Sequence, residues 1–266
     1  MDMLDELVEF YELVKDKDPQ PTKQTHHVAR NADNDDEWKR HEAKNWLTEN
    51  KRNRDDDEKL YSQIRSILNK LSDDNFPVLV DEIKKLNIID EQHLDKLSEF
   101  IFNKALIEPK FCASYAKLTY EFARYKPYNS DGMCFTRLII ARCQILFNDL
   151  LKITKDKSKC GMIFIGELYN CDKLLPPKIV SYCLNELINM QVKKQENDAQ
   201  STDTTIVECI FVFVKVIIEK FLKEHSNVMK DIYEKLNKLI TSGKMSNREK
   251  FSLMDSADLI KKLGKL

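Results

Sequence analysis

The sequence predicts an all-α protein made of stacked helical hairpins, and three observations predict it. The 266 residues include only 5 glycines and 7 prolines, and the alternating apolar–polar runs that make strands are scarce. From about Asp57 onward, apolar residues recur at helical spacing, broken only by short polar or proline-bearing stretches. The predicted helices pair into about five antiparallel hairpins whose first helices start near residues 57, 91, 130, 176 and 226. That spacing of about 34 to 50 residues brackets the ~40–47 of HEAT-type repeats, so the expected architecture is an α-solenoid in which each hairpin buries its apolar face on its neighbours.

Residues 1–16, MDMLDELVEFYELVKD, place Leu4, Leu7, Val8, Tyr11 and Val14 on one stripe of a short acidic helix. A helix this short is marginal alone, so it folds against its own domain or a partner's groove. Residues 17–56 read as a polar linker, with a short helix around Asp36 to Lys44, because few aliphatics are present to offset ordering entropy. Trp38 and Trp46 stand out there, as anchors for another surface or as rings that tuck back onto the chain. Residues 57–266 form the repeat domain.

Within it, helices are expected near 57–71, 74–87, 91–107, 112–124, 130–154, 159–171, 176–192, 204–224, 226–242 and 246–263. Asp74 is the N-cap candidate of the second and Asp90 that of the third. Pro109 prevents continuation past Ile107. Pro127, Asn129 and Asp131 make a turn. Pro176 and Pro177 suit a first helical turn, and Gly243 a C-terminal stop. The charged stretch Val192 to Asp203 is the longest expected internal break.

Charged residues make up 33% and the net charge is -1, so the overall field favours neither nucleic acid nor an acidic partner. The acidic N-terminus is unlike a secretory leader, and the 7 cysteines read as free thiols of a reducing, cytoplasmic setting. The most apolar run, Thr205 to Leu222, is interrupted by Glu208, Lys215, Glu219 and Lys220, which argues for a buried helix and not a membrane span. No metal-ligand spacing occurs, and the internal glycines are isolated, so no phosphate loop is present. His93 and His225, each at the start of an expected helix, have no nucleophile placed beside them. The expectation is a scaffold, not an enzyme, with no cofactor and no metal.

Four stretches go further. RSILNKLSDDNF (Arg65 to Phe76) resembles the opening repeat of the middle domain of the eukaryotic translation initiation factor 4G family, where R-S-I-L-N-K-L-T leads to a Phe in the next helix. FIFNKALIEPKFCASYAKL (Phe100 to Leu118) resembles that domain's second repeat, and MIFIGELYNCDKLL (Met162 to Leu175) its R-F-I-G-E-L-F-K helix. SNREKFSLMDSADL (Ser246 to Leu259) is similar to its final S-x-R-I-R-F-M-L-Q-D-x-x-D-L helix. The resemblance covers residues 57–264, extending weakly to Trp46.

It implies a HEAT scaffold of translation initiation that binds both lobes of the DEAD-box RNA helicase, initiation factor 4A, with mRNA as a further partner through basic edges. Carried over by residue, Trp46, Asn69 and Lys70 would face the C-terminal lobe; Arg248, Lys250 and Asp255 would face the N-terminal lobe. Leu68, Leu71, Phe76, Phe111, Tyr115, Phe164 and Phe251 also match, and apolar positions at helical spacing read as core. The family's cap-binding-protein motif, Tyr-x-x-x-x-Leu-Φ, is not met by Tyr11, which has Asp16 where Leu is required. Leu4, Leu7, Val8 and Tyr11 are therefore only a non-consensus candidate contact for a cap-binding protein. Tyr169 and Tyr182 satisfy the pattern inside expected solenoid helices, where apolar spacing alone generates it. The alternatives are an RNA-binding module, a regulator that sequesters the helicase, or a related scaffold of splicing or mRNA decay.

Overall fold

A computed structural model describes residues 35–88, 90–125, 135–171, 174–197, 203–242 and 245–264; for residues 35–50 and 53 it describes the backbone alone. The chain divides into two compact units, Met1–Asn53 and Arg54–Leu266. All regular structure in the described residues is helical: α1 (Asp35–Asn69), α2 (Phe76–Lys85), α3 (Glu91–Ile107), a 3-10 turn (Pro109–Phe111), α4 (Cys112–Tyr125), α5 (Phe135–Asn148), α6 (Lys155–Asn170), α7 (Pro177–Asn197), α8 (Thr205–Thr241) and α9 (Asn247–Gly264). None of them is long and apolar enough to cross a membrane.

The first helix starts at Asp35, well ahead of the expected start near residue 57. Its opening half has no apolar stripe but is rich in Glu, Lys and Arg, with Asp35, Asp36 and Glu37 at the positive end of the helix dipole. Propensity and charge placement extend the helix where hydrophobic periodicity is silent. The turn after α1 is tied by Asn75, not by Asp74 as expected. The Ser72 amide donates to Asn75 Oδ1 (2.8 Å), and Asn75 Nδ2 donates to the Lys70 carbonyl (2.6 Å). Asp90 does cap α3, accepting from the His93 amide at 2.8 Å. α3 ends at Ile107, two residues before Pro109. α5 stops at Asn148 and not near 154, α6 begins at Lys155 and not near 159, and α7 continues to Asn197 through most of the expected break.

The expected helices at 204–224 and 226–242 are the two halves of α8. They join without a loop at His225, whose backbone (φ -140°, ψ 45°) is non-helical. This gives two rows. The A row is α1, α3, α5, α7 and the second half of α8; the B row is α2, α4, α6, the first half of α8 and α9. Hydrogen bonds between helices of one row link residues about one repeat apart. In the A row His93 Nε2 meets Asp57 Oδ1 at 3.0 Å, Arg142 Nη2 meets Asp95 Oδ1 at 2.5 Å, and Lys235 Nζ donates to Asn185 Oδ1 at 2.7 Å. In the B row Ser114 Oγ donates to Asp73 Oδ1 at 2.9 Å, Tyr169 OH donates to Glu224 Oε2 at 3.0 Å, and Ser252 Oγ donates to the Val207 carbonyl at 3.4 Å. Partner numbers climb together, as in the pairs Lys155–Glu208 and Tyr169–Glu224, so neighbours within a row run parallel. Contact with only the adjacent repeat is what makes a solenoid.

A continuous core lies between the rows, from Leu60 on α1 to Ile260 on α9. Two glycines set its tightest crossings. A Cβ at Gly166 would lie 2.7 Å from Val216 Cγ1 and 3.1 Å from its Cβ, whereas one at Gly161 would meet only the side-chain end of Leu146, at 2.5–3.2 Å. Val is stiff and short, and Leu can change rotamer. Alanine at Gly166 should therefore cost about 1–3 kcal/mol net of its helix-propensity gain, and alanine at Gly161 clearly less. Urea unfolding of the two variants checks this; equal midpoints would contradict it.

Candidate partner-binding surface

The residues expected to meet a partner whose side chains are described lie at two places along one edge of the solenoid, where each A helix turns into its B helix. The first is the turn after α1. Asn69 closes the helix and Lys70 follows it, both exposed; the Lys70 carbonyl is held by Asn75, which fixes the turn while leaving the ammonium outside. The backbone of Trp46 lies on α1, and its side chain is outside the described residues. Leu4, Leu7, Val8 and Tyr11 also lie outside them.

The second is formed by the N-terminal ends of α6, α8 and α9. Its centre is Glu208, which sequence reasoning noted only as an interruption of an apolar run. Lys155 Nζ lies 2.5 Å from its carboxylate, Arg248 Nη2 3.4 Å and Lys159 Nζ 3.5 Å, and Thr204 Oγ1 donates to it at 2.7 Å. Burial pushes this carboxyl up, but Lys155, Thr204 and Lys159 together outweigh burial and hold it below the usual range. Three cations surround this anion, and Asp156, 3.1 Å from Lys159, adds a second carboxylate on the outside. Arg248 is the outermost, 77% exposed along its side chain. No sequence motif signals this node, because the three segments that supply it lie 40 or more residues apart.

Beside it sits a second carboxylate, Glu249, with only 4% of its side chain exposed. Lys194 Nζ (2.8 Å) and Gln191 Nε2 (3.1 Å) reach it from α7, and the Ser246 amide (2.9 Å) and Oγ (2.7 Å) from its own turn. With Ser246 preceding α9 and Glu249 three residues on, this is a capping box buried against a lysine. Burial alone would raise the Glu249 carboxyl; the bonds from Lys194, Ser246 and Gln191 hold it below its ordinary value.

Glu249, Leu253, Ser256, Ala257 and Ile260 make the buried stripe of α9. Arg248, Lys250, Met254 and Asp255 lie off that stripe and are exposed. So is Phe251, at 62%, which corrects its expected place in the core. It lies two residues from Leu253, about 200° round the helix and so away from the buried stripe. Leu68, Leu71, Tyr115 and Phe164 are buried as expected, and Phe76 and Phe111 are half-buried against the core. Tyr169, Leu174, Leu175, Leu187 and Ile188 are all buried, so neither internal Tyr-x-x-x-x-Leu-Φ match can be presented to a partner.

Nothing at either place is arranged for bond chemistry. Among the described residues no group of His, Cys, Asp and Glu could hold a metal ion. Burial pushes the Cys112, Cys183 and Cys209 thiols up to about 12, so they are not nucleophilic thiolates near neutrality. What the α9 site offers is one exposed aromatic, Phe251, set among charges, the composition of a protein-binding hot spot.

Comparison with known proteins gives one family and a consistent set of relatives. A family model described as MIF4G domain matches residues 62–262. The chain is similar to eukaryotic translation initiation factor 4G of Oryza sativa, with 28% identity covering 78% of this chain and 13% of the relative. It is also similar to eukaryotic translation initiation factor 4 gamma 3 of Homo sapiens, with 26% identity covering 76% and 14%. For eukaryotic translation initiation factor 4 gamma 2 of Mus musculus the identity is 26%, covering 75% and 25%. The chain thus spans between an eighth and a quarter of the length of these curated relatives.

Proposed function

The chain belongs to the MIF4G-domain family, and from that premise we propose that it is a translation-initiation scaffold that binds and positions the DEAD-box helicase, initiation factor 4A. The observation that carries this reading is the uncovered strip Arg248–Phe251–Asp255 on the closing helix, with Lys250 beside it and Glu208 behind it. It is an aromatic anchor between a cation and an anion, on a rigid helix. It takes the helicase's N-terminal lobe. Asn69 and Lys70, at the far end of the array, take the C-terminal lobe together with Trp46. A scaffold that holds both lobes favours the one juxtaposition it fits, and so raises the population of the arrangement that ATP and RNA need. It does this with no reactive group of its own.

Arg and aromatic residues at such sites contribute most of the binding energy. Arg248→Glu and Phe251→Ala should each weaken a 1:1 complex with the helicase by about tenfold or more, equivalent to about 1.4 kcal/mol. The Phe251 side chain is exposed, so its variant should keep helicity and thermal midpoint; Arg248→Glu sets a carboxylate beside Glu208 and should keep helicity with a small fall in midpoint. Titration calorimetry with purified helicase, with circular dichroism alongside, checks both. Failure of the unmodified chain to form the complex would overturn the reading, as would wild-type affinity in both variants. Leu4, Leu7, Val8 and Tyr11 remain the proposed contact for a cap-binding protein, tested by comparing the full chain with one lacking residues 1–16. The soluble, cytoplasmic setting expected of an initiation factor is part of the same proposal.

A further inference from the structure

The B row carries a groove that the helicase reading does not use. It lies between α6 and the first half of α8 and encloses about 730 Å³. Ile163, Phe211, Val212 and Val216 line its apolar part, all half-buried and none covered by a neighbouring repeat. Gly166 is what lets the two helices approach here, since any Cβ would strike Val216.

The polar rim is asymmetric. Lys220 is committed: its Nζ donates to the Tyr169 carbonyl at 2.9 Å and lies 4.8 Å from the Tyr169 ring centre. Lys215 and Lys223 are exposed and make no ion pair among the described residues. Lys117, exposed on α4, contributes positive charge from the other side. Two carboxylates share the space: Glu219 on the rim, and Glu167, half-buried, which donates nothing while ionised and accepts from Asn170 Nδ2 at 3.3 Å. Burial raises the Glu167 carboxyl, opposed by Asn170 and Lys117.

We propose that this groove docks an amphipathic helix of a partner protein, apolar face down between α6 and α8, with acidic residues on its flank reaching Lys215 and Lys223. Three observations select this occupant. The lining runs from Phe211 to Lys223, about 18 Å of helix, which matches three turns of a guest lying along the host helices. The volume accepts a few anchoring side chains at i, i+3 or i+4 and i+7, not a whole element. The unpaired ammonium groups stand outside an aliphatic floor, so the complementary surface is apolar in the centre and acidic at the edge. A nucleic-acid strand fits less well. One Phe beside three aliphatic residues is not a stacking platform for bases.

The test uses the full chain and three fluorescein-labelled probes in anisotropy titrations. The first is a synthetic helix of about 18 residues, long enough to be helical, with leucine on one face and glutamate elsewhere. The second carries lysine for every glutamate, and the third is single-stranded oligouridine. The acidic helix should bind, the lysine helix should bind at least about tenfold more weakly, and the double variant Lys215→Glu/Lys223→Glu should lose the acidic helix while gaining the lysine one. Because both lysines are exposed, that variant keeps the fold, which circular dichroism verifies. Lys70→Glu, in the first repeat and away from a groove built by the third and fourth, should retain the acidic helix. The proposal is overturned by no binding of the acidic helix, by equal binding of both helices, by tighter binding of oligouridine, or by unchanged affinity in the double variant.

Discussion

Truncation of Phe164 to alanine is expected to lower the unfolding free energy by about 3–5 kcal/mol, the range for a fully buried aromatic whose loss leaves a cavity. The ring has 0% exposure and stands edge-on to Phe102 with centroids 6.0 Å apart. It lies on α6, which packs against α3, α4, α5, α7 and α8, so the cavity opens where second, third and fourth repeats meet. In a solenoid, stability is the sum of repeat terms and nearest-neighbour interface terms. A defect here weakens two interfaces together, and the transition should broaden as well as shift. Urea unfolding followed by far-ultraviolet circular dichroism gives both quantities. Phe251→Ala is the control, since an exposed ring should move stability by less than about 0.5 kcal/mol. A Phe164→Ala loss below about 1 kcal/mol would mean that the repeats relax into the space.

Removal of the Glu249 carboxylate should have an effect of similar size for a different reason. Glu249→Ala leaves Lys194, 15% exposed, with only the Asp203 carbonyl as an acceptor, and strips the acceptor from Gln191 and Ser246. Breaking a buried ion pair by deleting one member costs about 3–5 kcal/mol, most of it the stranded charge. The double variant Glu249→Ala/Lys194→Met should therefore be more stable than Glu249→Ala alone, and a double-mutant cycle measures the coupling. Additive effects would show that the pair is not coupled. The same carboxylate gives stability a pH dependence of definite sign. Its folded pKa is depressed, so its contribution is present above the ordinary glutamate range and is lost as pH falls through the lower folded value. Glu208 and Asp203 act in the same direction; Glu167, whose pKa is raised, opposes them. Glu249→Gln should flatten the acid limb of the stability curve.

Much of the fold was legible in the sequence because its signals are local. Asp90 caps a helix that the periodicity starts at Glu91, Pro109 ends it, and the change of pattern at His225 coincides with the one non-helical residue inside α8. The start of α1 was not legible, because a helix carried by propensity and charge leaves no apolar stripe to read. The cap at Asn75 was misread as Asp74 because both residue types cap, and only the Lys70 carbonyl decides between them. The candidate surface was harder. The resemblance pointed to Arg248, but nothing local shows that Glu208, 40 residues earlier, grips it. Phe251 was taken for core because it is apolar; counting from Leu253 with Glu249 inside the stripe, against the usual preference for an apolar residue there, turns it outward.

The loopless junction at His225 has a mechanical side. The second half of α8, sixteen residues, is a stiff rod of about 24 Å that begins at the one backbone joint in a 37-residue helix. A bend of about 10° at that joint displaces the far end by about 4 Å, roughly the pitch of one residue contact. Met229, Ile232 and Leu236, all at 0% exposure, and the Lys235–Asn185 bond hold the rod against the core, so the torsion of a single histidine fixes the angle at which α8 hands the chain to α9.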